Sequence, residues 1–555
     1  MRRRIVAIAL AVGLTATAGA CSSSPSTSAD GGQAEGGGGD AAVPTKPQAG
    51  GSLVFGTQGE TTGWMPMTDR WGPGPITVAK TFFDPMVTWG TDGEVKPFLV
   101  KAFEPSEDFT QWDILLRPDL TFHNGEKVDA HSIVYNLQKY RTSALTTFAF
   151  QPVVDIQKVE GDDLRVRVTL DQSWASFPAA LTGQAGFVVA PEQLNAEPAQ
   201  ASMRPIGSGP FEFTSWEPDK DLVANRYDDY WMSDADGNRY PYLDEVTFVP
   251  TPDEASRMQA LQSGDLDVVQ TNSPGTVAAY LAESGDTPED INVLEDNSES
   301  DELNVTLNTQ SGPLADERLR KALQLVTDRQ ALVDNFDGVF PIADGPMSES
   351  SQWWSDAGWP EPNLEEAKAL VAEYQADNPG PIALNLMVLA SPDGLQFGQL
   401  VEQQWSQLGI DVEIQSVEET QFSNRMLGGD FDALVTQFWN GADPDANYHF
   451  WTGDNIGSEG SITLNFPRWS NDEVDAALNK AREAGTEQER KDAYATVWQQ
   501  WAEHVPYLWI YHAKWLILYR DRVHGLSDLR TPEGAEIEPV QWGSVFLTAT
   551  WVTGG

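Results

Sequence analysis

The side chains able to do chemistry are few and scattered. Gly207-Ser208-Gly209 sets a serine between glycines, but a nucleophile elbow needs Gly-x-Ser-x-Gly, so the spacing is wrong for acyl transfer. The six histidines (His123, His131, His449, His504, His512 and His524) never form a His-Glu-x-x-His pair, the zinc-hydrolase pattern. DADGN, Asp234 to Asn238, imitates part of a calcium loop, yet Met232 and Leu243 fill its first and twelfth positions, so it reads as a turn. Asp443 and Asp445 are an acidic pair, but near neighbours in one loop do not by themselves flank a scissile glycosidic bond. No hydrolytic centre is legible; the expectation is a protein that is not an enzyme, with no cofactor and no metal.

His123 lies in WDILLRPDLTFHNGEKVDAHSIVYNLQKY, Trp112 to Tyr140. WDILLRP reads as a strand, HNGE as an Asn-Gly turn that supplies positive φ, and VDAHSIVYNLQKY as a helix with Asp129 near its start. A histidine there is expected to bond backbone and hold a corner.

The elements that position such residues alternate between strand and helix from Gly51 onward, without a short repeat, which predicts a mixed α/β body. GSLVFGTQ is a first strand, and RVRVTLD (Arg165 to Asp171) alternates as a half-buried strand does. DEASRMQALQSG is a helix ending at Gly264, a suitable C′ residue. LADERLRKALQLVTDRQALVDNF places Leu319, Leu323, Val326, Leu332 and Val333 near helical spacing and predicts one amphipathic helix opened by Asp316. Glu302 to Thr309 and Tyr507 to Arg520 are apolar strands, and both are expected to pass between two lobes with a cleft between them. Trp405, on a helix in VEQQWSQLG, reads as core.

At 555 residues, two or more lobes are expected, because single cores seldom grow past about 250–300 residues. MRRRIVAIALAVGLTATAGAC reads as an export signal over residues 1–20: three arginines, a short apolar stretch, then small residues up to Cys21, the one cysteine. With one cysteine, no intrachain disulfide forms. The apolar stretch falls short of the roughly 18–20 residues that span a bilayer. Ala18-Gly19-Ala20-Cys21 resembles a bacterial lipobox, with Ala18 where Leu is usual, so Cys21 is the expected lipidation site on the extracytoplasmic face of the membrane. Residues 21–50 are Ser, Gly, Pro and Ala with little to bury, and read as a flexible tether with a reach of roughly 30 Å. Formal charge is −48, near −51 once Arg2, Arg3 and Arg4 leave with the signal, and the acids are spread along the chain. Nucleic acid is not an expected partner.

Several segments carry a resemblance. Trp112–Tyr140, PIGSGPFEFTSWEPDKDLVANRYDDYW (Pro205 to Trp231, with Ser208 where Thr is usual), PYLDEVTFVPTPDEASRMQALQSGDLDVV, LNVTLNTQSGPLADERLRKALQLVTDRQALV and LEEAKALV match, in order, segments of the family 5 extracellular solute-binding proteins of ATP-binding-cassette importers. The resemblance implies a two-lobed periplasmic-binding-protein-like α/β fold of type II, in the large variant with an extra subdomain in the first lobe, hinged by two crossing segments. The expected division is lobe I at 51–302 with an inserted subdomain at about 90–195, lobe II at 303–520, and a return to lobe I at 521–555. It implies a monomeric receptor that captures a solute, first of all a peptide, and delivers it to an ABC permease and its ATPase subunits.

The family also points to ligand residues. The early loop GTQGETTGWMPM (Gly56 to Met67) contributes to the cleft in peptide binders, where Gly59 allows close approach and Glu60 and Trp64 could present a carboxylate and an aromatic wall; the alternative is a surface loop with a buried Trp. In FDALVTQFWNGADPDANYHFW (Phe431 to Trp451), Trp439 matches the Trp that precedes the peptide binders' ammonium-pairing Asp, but Ala442 falls at the carboxylate's position. Asp443, then Asp445, are the candidate anchors, with Asn440, Gly441 and Tyr448 beside them; either acid could instead cap a helix opening at Pro444. Leu389 to Gln399, where dipeptide binders carry a carboxylate-clamping Arg, has no basic residue. Longer peptides or neutral solutes such as oligosaccharides are therefore favoured over dipeptides. A nickel or metal-chelate role rests only on His449 beside Tyr448.

Overall fold

Two sheets carry the architecture, in a computed structural model that describes residues 46–281, 288–296, 301–336, 338–439, 441–458 and 461–554. Cys21, the signal, the tether as far as residue 45, and Asn440 lie outside the described residues. The first sheet has seven strands in the spatial order Ile291–Glu295, Leu516–Arg520, Val268–Thr271, Ser52–Thr57, Glu245–Pro250, Asp221–Arg226 and Phe211–Glu217. Ser52–Thr57 sits at its centre, parallel to both neighbours, with Ser52 opposite Glu245 and Phe55 opposite Val268. Buried Leu53 and Phe55 anchor that strand in the core. The second sheet has five strands, Ile410–Val417, Ile382–Leu389, Ala433–Trp439, Asp301–Leu307 and Tyr507–Ala513. Asp301 lies between Trp439 on one side and Ala513 on the other.

The chain passes between these sheets twice, once between Glu295 and Asp301 and once between Ala513 and Leu516. Glu302 to Thr309 and Tyr507 to Arg520 are thus at the crossings. The run Tyr507 to Arg520 is divided into Tyr507–Ala513 of the second sheet and Leu516–Arg520 of the first, whereas Glu302 to Leu307 stays within the one strand Asp301–Leu307 of the second sheet, just after its crossing. The arrangement is a two-lobed α/β fold. The lobes share apolar packing: Val269, Leu516 and Leu518 of the first sheet lie in one cluster with Val305 and Leu307 of the second.

A third, four-stranded antiparallel sheet, Val100–Pro105, Gln111–Leu116, Arg165–Leu170 and Val153–Lys158, is inserted after the first strand. Its Val166, Val168 and Leu170 are buried and alternate with half-exposed residues, as the sequence pattern predicts. The adjoining corner also forms as expected. Gly125 adopts φ +81° in the Asn-Gly turn, and Asp129 caps the helix Ala130–Thr142 by accepting the Ser132 N–H, with Ser132 bonding back. The half-buried His123 ring bonds the Gly209 carbonyl at 2.9 Å through Nε2, while Nδ1 faces the Gly207 N–H at 3.4 Å. With Nε2–H donating, the ring is the neutral tautomer, and burial lowers its pKa to about 4 against the raising effect of the Gly209 bond.

Gly207-Ser208-Gly209 is equally structural. A Cβ on Gly207 would stand 2.0 Å from the Phe82 carbonyl oxygen and one on Gly209 2.5 Å from that of Thr81. The segment therefore packs backbone to backbone against the end of the helix Pro73–Phe82. Ser208 donates its hydroxyl to buried Asp84 at 3.0 Å, beside Tyr230 and Trp231.

One predicted element is corrected. The single amphipathic helix opened by Asp316 is two, Glu317–Val326 and Arg329–Asp334. Thr327 leaves helical geometry, and Asp328 caps the second helix by accepting the Ala331 N–H at 3.0 Å. The short polar side chain offers the backbone a better partner at that point than helix continuation does.

Candidate functional site

The loop after the first strand is drawn into the first lobe. Gly59 has open space where a Cβ would be, and its carbonyl lies 3.1 Å from the Cβ position of Gly74, which lets the helix Pro73–Phe82 start against the loop. Both Glu60 oxygens are engaged, one by the Trp216 indole N–H at 2.6 Å and the other by the Asp219 N–H at 2.8 Å. Trp64 is 1 % exposed and surrounded by Trp71, Phe82 and Trp216, so it is a core residue, as the alternative reading held. A cavity beside Gly59, Glu60 and Trp64 has about 10 Å³ of free volume, the lower limit for one water.

In the second segment, Trp439 ends the strand Ala433–Trp439, and Gly441 turns the chain at φ +62°. Asp443 accepts the Asp445 N–H at 2.9 Å and caps a short 3₁₀ turn, Pro444–Asn447. Its two oxygens also take a bidentate bond from Arg490, at 2.6 and 2.9 Å. Asp445 is buried and accepts from Arg482 at 2.5 Å, Trp174 at 2.5 Å and Ser176 at 2.9 Å. Burial pushes its carboxyl up, but Arg482, Arg490 and the Trp174 bond outweigh that and hold it below the usual carboxylate range. Tyr448 donates to Asn479 at 2.7 Å and lies 3.4 Å beneath the Arg482 guanidinium. His449 is neutral, its pKa lowered to about 4 by burial and by Arg482.

The structure thus brings Asp443, Asp445 and Tyr448 together, around two arginines of the protein itself. Arg482 and Arg490 come from the helices Asp472–Glu483 and Glu487–His504. Sequence reasoning missed them because nothing local marks a partner some forty residues downstream. Glu60 and Trp64 belong to a separate cluster in the first lobe.

It also missed a set of buried polar groups in apolar strands. Gln270 is fully buried, and neither side-chain amide atom has a hydrogen-bond partner among the described residues. On the second sheet the same holds for Asn304 Nδ2, the Tyr507 hydroxyl and Trp509 Nε1. Asn304 stands opposite Trp509 in register, and the Tyr507 and Trp509 rings lie 4.8 Å apart. An unpartnered buried polar atom is costly and calls for water or a ligand. The available signal was a polar residue within each apolar run, as in DVVQT and ELNVTL. The two lobes also meet through polar side chains: Asn272, which accepts from Gln58 of its own lobe at 3.1 Å, approaches Gln437 at 3.5 Å, and Ser273 approaches Asp393 at 3.5 Å. The last two are at the outer limit of a hydrogen bond.

Comparison with known proteins places this geometry. The chain is 26% identical over 395 residues to the nickel-binding periplasmic protein of Escherichia coli (strain K12), covering 67% of this chain and 73% of that one. It is 23% identical over 522 residues to di/tripeptide-binding protein 1 of Pseudomonas aeruginosa (strain UCBPP-PA14), covering 88% and 94%. The oligopeptide-binding protein AppA of Bacillus subtilis, solved with a nonapeptide, superposes with a TM-score of 0.75 at 22% identity, over 92% of this chain and all of that one. The family model for bacterial extracellular solute-binding proteins, family 5 Middle, matches residues 94–459, more than half of the chain. With the fold, the two crossings and this match in agreement, the chain belongs to the family 5 bacterial extracellular solute-binding proteins.

Proposed function

We propose that this protein captures a peptide, an oligopeptide in preference to a dipeptide, between its two lobes and presents it to an ABC permease and its ATPase subunits. The observation that carries this reading is the polar meeting of the two lobes at Asn272–Gln437 and Ser273–Asp393, with Gln58 holding Asn272 from within the first lobe. Side-chain amides exchange their bonds for those of a peptide main chain at little net cost, whereas an apolar seam would not open. The relatives named above for di/tripeptides and for a nonapeptide support the same ligand class.

We take the lobes as residues 51–300 with 514–555, and 301–513, moving the expected boundaries at 302 and 520 because Asp301–Leu307 pairs in the second lobe's sheet and Leu516–Arg520 in the first's. The ligand residues are proposed as Gly59, Trp439, Asn440 and Gly441, joined by Gln270, Asn304, Tyr507 and Trp509. Asp443 and Asp445 support this loop through Arg490 and Arg482. Cys21 is proposed as the lipid attachment point, with the tether holding the body near the membrane. A mass shift on the peptide bearing Cys21 tests that anchor.

A second reading, a neutral solute such as an oligosaccharide, is favoured by one observation: Asp443 and Asp445 are already paired, and Leu389 to Gln399 has no cation for a carboxylate. Thermal denaturation with di- to hexapeptides and with cello- and xylo-oligosaccharides separates the two. A bound solute at a hundredfold excess over its Kd adds about 2.7 kcal/mol. Stabilisation by a peptide of three or more residues is expected; a shift with sugars and none with any peptide replaces the first reading by the second.

A further inference from the structure

The inserted four-stranded sheet reaches the second lobe at one buried point. After the strand Arg165–Leu170 the chain delivers Trp174, Ala175 and Ser176 to the Asp445 turn, some 270 residues away in sequence. Trp174 Nε1 and Ser176 Oγ both donate to Asp445 Oδ2, at 2.5 and 2.9 Å, while Arg482 holds Oδ1. The Ala175 N–H donates to the Arg482 carbonyl at 2.7 Å, and the Arg482 guanidinium lies 4.6 Å from the Trp174 ring centre. Trp174, Ser176, Asp445 and Arg482 are each at most 6 % exposed.

The division of labour is informative. The Asp445–Arg482 ion pair and the Arg482–Tyr448 stack lie wholly within the second lobe and need nothing from the inserted sheet. The Trp174, Ala175 and Ser176 contacts are additional, polar, and all made from one loop. Nearby, Gln151 bonds Asn455 at 3.2 Å in an exposed position, and Gly485 abuts the Phe109 ring. A loop that completes an already neutralised ion pair with neutral donors can leave it, since water replaces the donors at Oδ2 without exposing an unpaired charge.

The geometry points to a latch: Trp174 and Ser176 clasp Asp445 when the lobes close, and set how much of the protein is closed before any solute arrives. This rests on the reading that the lobes open and close, but not on the identity of the solute. The contact is made by the loop that follows the inserted sheet and uses none of the proposed ligand residues, so closure is tuned there without substituting them.

The test uses the full chain with no added solute. Trp174→Phe keeps an aromatic ring and removes the indole donor; Ser176→Ala removes a single hydroxyl and carries the test if Trp174→Phe does not fold by circular dichroism. Small-angle scattering should show a larger radius of gyration for the variant than for the parent. Hydrogen exchange at the Ala175 amide should be at least tenfold faster. A parent and variant with the same radius and the same Ala175 protection overturn the latch and make the contact a fixed part of the fold. If a variant opens while no peptide or sugar stabilises the parent, the latch stands and the solute reading falls; if peptides stabilise the parent and the variants do not open, the reverse holds.

Discussion

The Trp515 indole N–H donates to Asp301 at 2.8 Å. Trp515 lies in the second crossing and Asp301 at the end of the first, so one hydrogen bond joins the two crossings. The Asp296 N–H adds a bond to the Trp515 carbonyl at 2.9 Å. The bond has an electrostatic consequence, because Asp301 is fully buried. Burial raises its pKa to about 8 against the lowering effect of Trp515, with Asp296 raising it further.

A carboxyl that titrates higher in the folded state holds its proton there while the unfolded chain has lost it. Its contribution is fully present below about pH 4 and is lost as pH rises toward 8. Asp301→Asn keeps a carbonyl for Trp515 and removes the titration. The variant should match the parent near pH 4 and exceed it at pH 8 by on the order of 1–3 kcal/mol. Urea midpoints measured across that range check this, and equal slopes in the two proteins contradict it.

His123 acts in the opposite direction. Its folded pKa of about 4 lies below the ordinary 6.5, so between those values the unfolded chain binds the extra proton. Stability is therefore present above pH 6.5 and falls as the solution is acidified toward 4. His123→Gln should narrow the stability difference between pH 7 and pH 4.5 by about 1–3 kcal/mol, read from denaturant unfolding at both pH values. An unchanged difference would mean that the ring is not buried in its neutral form.

Asp443 and Arg490 provide a direct discrimination between support and recognition. Asp443→Asn leaves the largely enclosed Arg490 without its bidentate partner, and breaking a fully buried pair costs about 3–5 kcal/mol, an upper figure for this half-buried one. The expected outcome is a marked loss of stability, measured by urea unfolding, with solute affinity per folded molecule unchanged. An anchor for a ligand ammonium would give the reverse pattern, intact stability with lost binding.

Much of the local structure was readable because it depends on neighbours in the chain. The Asn-Gly corner at Gly125, the Asp129 cap, the alternation of Arg165–Leu170 and the Gly264 helix end (φ +87°) all follow from residues within a turn or two. The division of the predicted helix at Thr327 shows the limit even there: apolar spacing continues across Leu332 and Val333, and only the competing cap of Asp328 ends the first helix.

The candidate site was legible as a segment but not as a set of bonds. By itself the sequence determined that Asp443 and Asp445 share a loop behind Trp439 and that no cation stands in Leu389 to Gln399. Tertiary structure decided that Arg490 and Arg482 take those two carboxylates, that Trp64 and Glu60 turn inward, and that Gln270, Asn304, Tyr507 and Trp509 keep polar atoms without partners among the described residues. The reason is physical. Periodicity and capping are local and short in range, whereas the choice of partner for a buried charge depends on which distant helix packs beside it.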